Sequence, residues 1–114
     1  MSQMIACGAA DILAERERQE EYLRAAHAQA FSGGERTALS AYLDASQSAW
    51  ESYAEIECRA EAQRHSGGLM ETVIYQGCLR EMTYERTHSI WSSYLRGGDG
   101  QRPILPEPDV LADR

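Results

Sequence analysis

The stretch Gln47-Ser-Ala-Trp50-Glu-Ser-Tyr53-Ala-Glu-Ile-Glu-Cys58 lies within the longest segment of the chain that contains neither Gly nor Pro. It carries one of the two tryptophans and one of the three cysteines of the protein. Positions that are apolar except for one glutamine recur at steps of three and four around it, as one buried face of a helix requires. These positions are Leu39, Leu43, Gln47, Trp50, Ala54 and Cys58. The pattern predicts the central helix of a small bundle.

Three Gly-Gly pairs, which are typical helix ends, divide the rest of the chain. They are Gly33-Gly34, Gly67-Gly68 and Gly97-Gly98. Three long helices are predicted between them, at about 2–31, 35–65 and 69–96. A helical repeat would place two helices in each unit of about 34 residues, so a single antiparallel three-helix bundle is favoured. The predicted fold is all-α, with one helical domain over residues 1–96 and an extended, Pro-containing tail over residues 97–114.

The third predicted helix has two opposed apolar faces. One face carries Tyr75, Leu79, Met82, Arg86 and Ile90, and the other carries Val73, Gly77, Tyr84, Trp91 and Leu95. A helix of this kind buries both faces or leaves one for a partner. The tail is one candidate cover for the second face, through Ile104, Leu105, Val110 and Leu111. The alternatives are a homodimer or partner surface formed by Val73, Tyr84, Trp91 and Leu95, and a chance pattern.

The turn positions predict which residues of neighbouring helices lie at the same level. In an antiparallel hairpin about Gly67-Gly68, Cys58 faces Cys78, where a disulfide with a Cα separation of about 5.5–6 Å can form. The turn between the first two helices brings Cys7 close to the same level. The predicted disulfide is Cys58–Cys78, with Cys7 unpaired or competing. A disulfide indicates an oxidising compartment, hence a periplasmic or secreted protein; a cytoplasmic protein with reduced cysteines is the alternative.

The same hairpin register places Arg86 level with Trp50, and Thr83 level with Tyr53. Arg86 lies on an apolar stripe, so its guanidinium group needs a partner. Stacking on Trp50 and pairing with Glu17 or Glu51 are the interactions that the register predicts.

Composition limits the classes of partner. The net charge of −7 opposes binding to nucleic acid or to an anionic membrane, because both depend on Lys and Arg. An acidic surface favours a basic protein partner, although it also serves solubility alone. No apolar run approaches the roughly 18–20 residues of a membrane span. The run from Met4 to Ala10 is too short for a signal peptide, and Asp11 follows it.

No cofactor, metal or catalytic group is predicted. A Cys3His zinc site would need Cys7, Cys58, Cys78 and His65, but the sequence has no CxxC spacing. No histidine is spaced to activate a cysteine nucleophile, and the Gly pairs follow helices rather than strands, unlike phosphate-binding loops. The chain is therefore not expected to be an enzyme.

Three segments resemble the lysozyme inhibitor LprI-like family of small secreted or periplasmic bacterial proteins. They are Leu43-x-x-Ser46-Gln47-x-x-Trp50-x-x-Tyr53-x-Glu55-x-x-Cys58, Cys78-Leu79-x-x-Met82-Thr83-x-x-Arg86 and Ser2-Gln3-x-x-x-Cys7. Gln47, Trp50, Tyr53, Thr83 and Arg86 match its structural motif. Two positions depart from the family pattern: Arg16 to Glu20 replaces an Asp-x-x-Leu-Asn-like segment, and Ala54 stands where an Arg usually follows the central aromatic. Family members often carry a further cysteine upstream.

The resemblance implies a non-enzymatic protein of the cell envelope that inhibits lysozyme by binding it. Lysozymes are commonly cationic, so an acidic inhibitor suits them. The alternative is a cytoplasmic interaction protein or toxin-system component that uses the second apolar face of the third helix.

Overall fold

The computed structural model describes residues 2–31, 38–65 and 68–109. Within these ranges three α-helices follow one another: α1 (Ser2–Ala30), α2 (Ala38–Arg64) and α3 (Leu69–Ile90). A π-helical turn, Trp91–Leu95, continues α3. The predicted all-α fold of three long helices is confirmed. The predicted Gly33-Gly34 turn, the first residues of the second predicted helix and Gly67 lie outside the described residues.

The helix α3 lies at the centre of the bundle. It packs along both α1 and α2, whereas α1 and α2 contact each other only sparsely. The chain direction makes α3 antiparallel to α2 and parallel to α1, and Gln76 Nε2 donates to the Ile5 carbonyl at 3.1 Å. The prediction that the second helix is central is therefore wrong. The reason is that α3 has two apolar faces and can bury one against each neighbour.

The predicted disulfide is present between α2 and α3. Cys58 and Cys78 are bonded, with a Cα–Cα distance of 5.5 Å. Cys7 is free and exposed on α1, so it does not compete for either sulfur. The predicted register of α1 and α2 also holds, since Gln47 Nε2 donates to Gln19 Oε1 at 3.0 Å.

The described part of the chain has a core of two clusters along an elongated molecule of 52 × 25 × 20 Å. The larger cluster lies at the end where α3 passes into the π-helical turn, and it contains Tyr22, Ala26, Leu43, Ile90, Trp91 and Leu95. The smaller cluster surrounds the disulfide and contains Ala54, Cys58 and Leu79. Leu39, expected in the core, is 48% exposed, while Tyr22 of α1, for which no burial was predicted, is buried.

The tail packs against the end of α3. Trp91 Nε1 donates to the Leu105 carbonyl at 2.8 Å, and Ile104 N donates to the Leu95 carbonyl at 2.8 Å. Tyr22 Oη donates to the Pro106 carbonyl at 2.6 Å. These three bonds hold the tail over the larger cluster.

A glycine is required where the tail turns back. Gly97 has φ +84°, and a Cβ atom there would lie 3.0 Å from the Arg102 carbonyl oxygen. Both the backbone conformation and the close approach exclude a larger residue without strain. The division of the chain into residues 1–96 and 97–114 as separate units remains a prediction.

The second apolar face of α3 is partly covered, at the end near Trp91 and Leu95, by α1 and the tail. Both of these side chains are buried, so they offer no surface to a partner. Val73 and Tyr84 are half-buried, and the Arg18 guanidinium lies 5.6 Å from the centre of the Tyr84 ring. Of the tail residues expected to pack, Leu105 does so, Ile104 is about half exposed, and Val110 and Leu111 lie outside the described residues.

Candidate binding cleft between the first two helices

A cleft of about 350 Å³ separates α1 from α2. It exists because both helices pack on α3 but hardly on each other. Leu79 and Thr83 of α3 form its floor. Its walls are Arg16, Gln19, Glu20 and Leu23 from α1, and Gln47, Trp50, Glu51, Ala54 and Glu55 from α2.

A hydrogen-bond network links all three helices at one end of the cleft. Gln19, which is buried, donates to the Thr83 carbonyl at 3.4 Å and accepts from Gln47 Nε2 at 3.0 Å. Arg86 Nε donates to Gln47 Oε1 at 2.9 Å, and Arg86 Nη2 donates to Ser46 Oγ at 3.0 Å. The side-chain amide of Gln47 on α2 thus accepts a hydrogen bond from Arg86 on α3 and donates one to Gln19 on α1. These bonds fix the distance between the cleft walls.

The hydrogen-bond partners of Arg86 differ from those that the sequence predicted. Its partners are the side chains of Gln47 and Ser46, rather than the Trp50 ring or the carboxylate of Glu17 or Glu51. Burial lowers the pKa of the Arg86 guanidinium from its ordinary value. Two neutral oxygens are sufficient partners here because the group is only partly buried and keeps contact with water.

Most of the residues that match the family motif come together at the cleft. Gln47, Thr83 and Arg86 belong to the network. Trp50 is half-buried, packs against the smaller core cluster and lines the cleft. Tyr53 is 57% exposed and lies on another face of α2. Gln19 could have been found from the sequence, because it is a polar position between Ile12 and Leu23 on one face of α1, at the level of Gln47.

Carboxylates dominate the charge of the cleft. Glu20, Glu51 and Glu55 line it together with Arg16. Glu55 is ion-paired with Arg59, which does not line the cleft. Glu55 accepts hydrogen bonds from Tyr75 Oη and Arg59 Nε, both at 2.8 Å. The bond from Tyr75, followed by the bond from Arg59, lowers the pKa of the Glu55 carboxyl. This carboxylate therefore stays ionised to lower pH than an ordinary glutamate.

The Tyr75 bond can be tested by titration. In an NMR pH titration of the side-chain carboxyl, Glu55 should titrate below the ordinary glutamate range, and Tyr75→Phe should raise its pKa. The pKa of Glu55 is lower in the folded than in the unfolded protein. The ionised carboxylate therefore contributes to the free energy of unfolding above its unfolded-state pKa, and this contribution is lost as the pH falls through its folded-state pKa. Tyr53→Phe, an exposed tyrosine of α2, is the matched control and should leave Glu55 unchanged. An unchanged pKa in Tyr75→Phe would contradict the assignment.

The four residues of the possible zinc site are not available together as ligands. Cys58 and Cys78 are bonded to each other, and His65 Nε2 lies 3.3 Å from Glu61 Oε1. Over residues 2–31, 38–65 and 68–109, no three His, Cys, Asp or Glu side chains are grouped to hold a metal ion. In the same ranges, none of the helices combines the length and apolar character that a membrane span needs.

The cleft offers charged side chains and an aromatic wall, which are features of a binding surface.

The fold defines a small, disulfide-containing helical protein with a cleft between two of its helices. The family model described as Lysozyme inhibitor LprI matches residues 1–89. The chain belongs to the lysozyme inhibitor LprI family. Neither the curated proteins nor the solved structures gave a match. Members of this family are in general secreted or periplasmic inhibitors of lysozyme rather than enzymes.

Proposed function

We propose that this protein inhibits lysozyme in the cell envelope by binding it, without a reaction of its own. The acidic cleft between α1 and α2 receives a cationic segment of the enzyme. The observation that carries the proposal is the lining of that cleft, where Glu20 and Glu51 are exposed while Glu55 is paired with Arg59. Family membership supplies the class of target, and the net charge of −7 favours a basic partner.

The geometry suits a lysine or arginine side chain of the target. Glu20 and Glu51 are exposed on opposite walls of the cleft, so a cation entering from solvent meets a carboxylate from each helix. The half-buried Trp50 ring forms part of the same wall and can stack against a guanidinium or ammonium group. The Cys58–Cys78 disulfide supports an oxidising location over the cytoplasmic alternative.

Reversal of the cleft charge tests the proposal. The double variant Glu20→Lys, Glu51→Lys should weaken lysozyme binding and inhibition about tenfold or more, because like charges then face each other across the interface. The measurement is calorimetric titration together with a lysis assay, at low and at moderate salt. Binding by the unmodified protein should weaken as salt rises.

The matched control carries the same change of charge elsewhere. Glu81 and Glu85 are exposed on α3 and do not line the cleft, so Glu81→Lys, Glu85→Lys should change affinity far less. If the unmodified protein does not bind lysozyme at either salt concentration, inhibition by binding is wrong. If both double variants weaken binding equally, the protein acts through its overall charge and the cleft is not the site.

A further inference from the structure

The face of α2 opposite the core is apolar and open to solvent. At 100° per residue, Ala49 points directly away from the buried Cys58 and Ser40. The outer face of α2, as we define it, comprises Ala38, Tyr42, Ala45, Ala49, Tyr53, Ile56 and Ala60. Its three large members are 72% (Tyr42), 57% (Tyr53) and 68% (Ile56) exposed. Large apolar side chains grouped on one exposed face mark an interaction surface.

The residues of this face are arranged symmetrically about Ala49. Tyr42 and Ile56 each lie seven positions from it, and Ala45 and Tyr53 each lie four positions from it. When two copies of a helix pack antiparallel about a two-fold axis, the residues that meet are equidistant from the axis. Here Tyr42 would meet Ile56 of the second copy, Tyr53 would meet Ala45, and Ala49 would meet itself. Large side chains face small ones or other apolar groups, and the small centre permits close approach.

We propose that the protein forms a homodimer through the outer face of α2, with the two helices antiparallel and Ala49 on the two-fold axis. This surface differs from the second face of α3, whose Trp91 and Leu95 are buried. The symmetric arrangement about Ala49 favours a second copy as the occupant, and charge opposes it least at this face. Two chains of net charge −7 repel each other, and the outer face of α2 is a surface without charged residues, where that repulsion is weakest. A cationic enzyme gains nothing electrostatic there.

The size of the face is typical of a weak dimer. Three large side chains and their alanine neighbours on each copy would bury about 1,000 Å² in total, which is at the low end for a specific interface. A dissociation constant of about 1–100 μM is therefore expected. The cleft remains open in this dimer, because Gln47, Glu51 and Ala54 lie on the side of α2 that faces the bundle. Each dimer would then present two clefts.

Crosslinking tests the register. In a Cys7→Ser background, Ala49→Cys should form an interchain disulfide under mild oxidation, because each copy of this residue meets its equivalent. The matched variant Ala45→Cys should not, since its two sulfurs lie eight residues, or about 12 Å, apart along the antiparallel helices. Equal crosslinking of both variants, or none of Ala49→Cys, overturns the proposed dimer.

Sedimentation equilibrium tests the association itself. The unmodified protein should shift from monomer to dimer between about 1 and 500 μM. Ala49→Glu should raise the dissociation constant more than tenfold by bringing two carboxylates together on the axis, whereas Ser48→Glu, exposed on the next position of α2, should change it little. Circular dichroism confirms that both variants fold. A protein that stays monomeric throughout overturns the proposal, and weaker lysozyme binding by Ala49→Glu would then assign the face to the enzyme.

Discussion

Replacing Trp91 with alanine is expected to lower the free energy of unfolding by about 3–5 kcal/mol. Trp91 is 8% exposed and belongs to the larger core cluster. Its removal leaves a cavity between α1 and the π-helical turn, and it also removes the hydrogen bond from the indole to the Leu105 carbonyl. Urea unfolding followed by circular dichroism measures the loss.

Two further tryptophan variants separate the cavity from the hydrogen bond. Trp91→Phe keeps most of the apolar volume and should lose less than Trp91→Ala, with about 1 kcal/mol of the loss due to the missing N–H donor. Trp50→Ala removes a half-buried ring at the cleft and should cost less than Trp91→Ala. Both Trp91 variants should also make the tail more sensitive to limited proteolysis. If Trp91→Ala cost less than about 1 kcal/mol, the tail and π-helical turn would not be packed as described.

Removal of the disulfide by the double variant Cys58→Ala, Cys78→Ala is expected to cost about 3 kcal/mol. The bond closes a loop with a sequence separation of 20 residues, and the entropy that such a loop loses in the unfolded chain corresponds to roughly this free energy. Cys7→Ser is the matched control: Cys7 is exposed and free, so its loss should change stability by less than about 0.5 kcal/mol.

Thiol counting on the same protein gives an independent result. Protein purified without reductant should show one reactive thiol in the unfolded state and three after reduction. Three thiols before reduction would show that the bond does not form where the protein is made, and they would support the cytoplasmic alternative. A reduced protein as stable as the oxidised one would contradict the stabilising role of the bond.

The position of the disulfide compensates for a weak part of the core. Around it the buried residues are mainly Ala54, Cys58 and Leu79, and the first half of α1 leaves Met4 and Leu13 exposed. Little apolar area is buried at this end of the molecule, and small cores of this kind commonly depend on a covalent link. The larger cluster at the other end buries more large side chains, among them Leu43, Ile90 and Trp91.

The sequence alone determined the three helices, their order and the bonded cysteine pair. Helix periodicity and Gly-Gly stops act within a few residues, so the local pattern predicts them directly. Once the turn positions are known, the geometry of antiparallel helices shows which residues lie opposite each other. In this way Cys58 lies opposite Cys78, and Gln19 lies opposite Gln47. The acidic character of the surface follows from composition.

The tertiary structure alone decided which helix lies at the centre and how each polar side chain is paired. An apolar stripe indicates that a face is buried or shared, but it does not indicate which helix covers it. That choice depends on the summed packing of all three helices and the tail. For this reason the stretch around Trp50 proved to lie on a flanking helix, with Arg86 bonded to Gln47. Trp91 and Leu95 proved to be core residues because the tail folds back over α3.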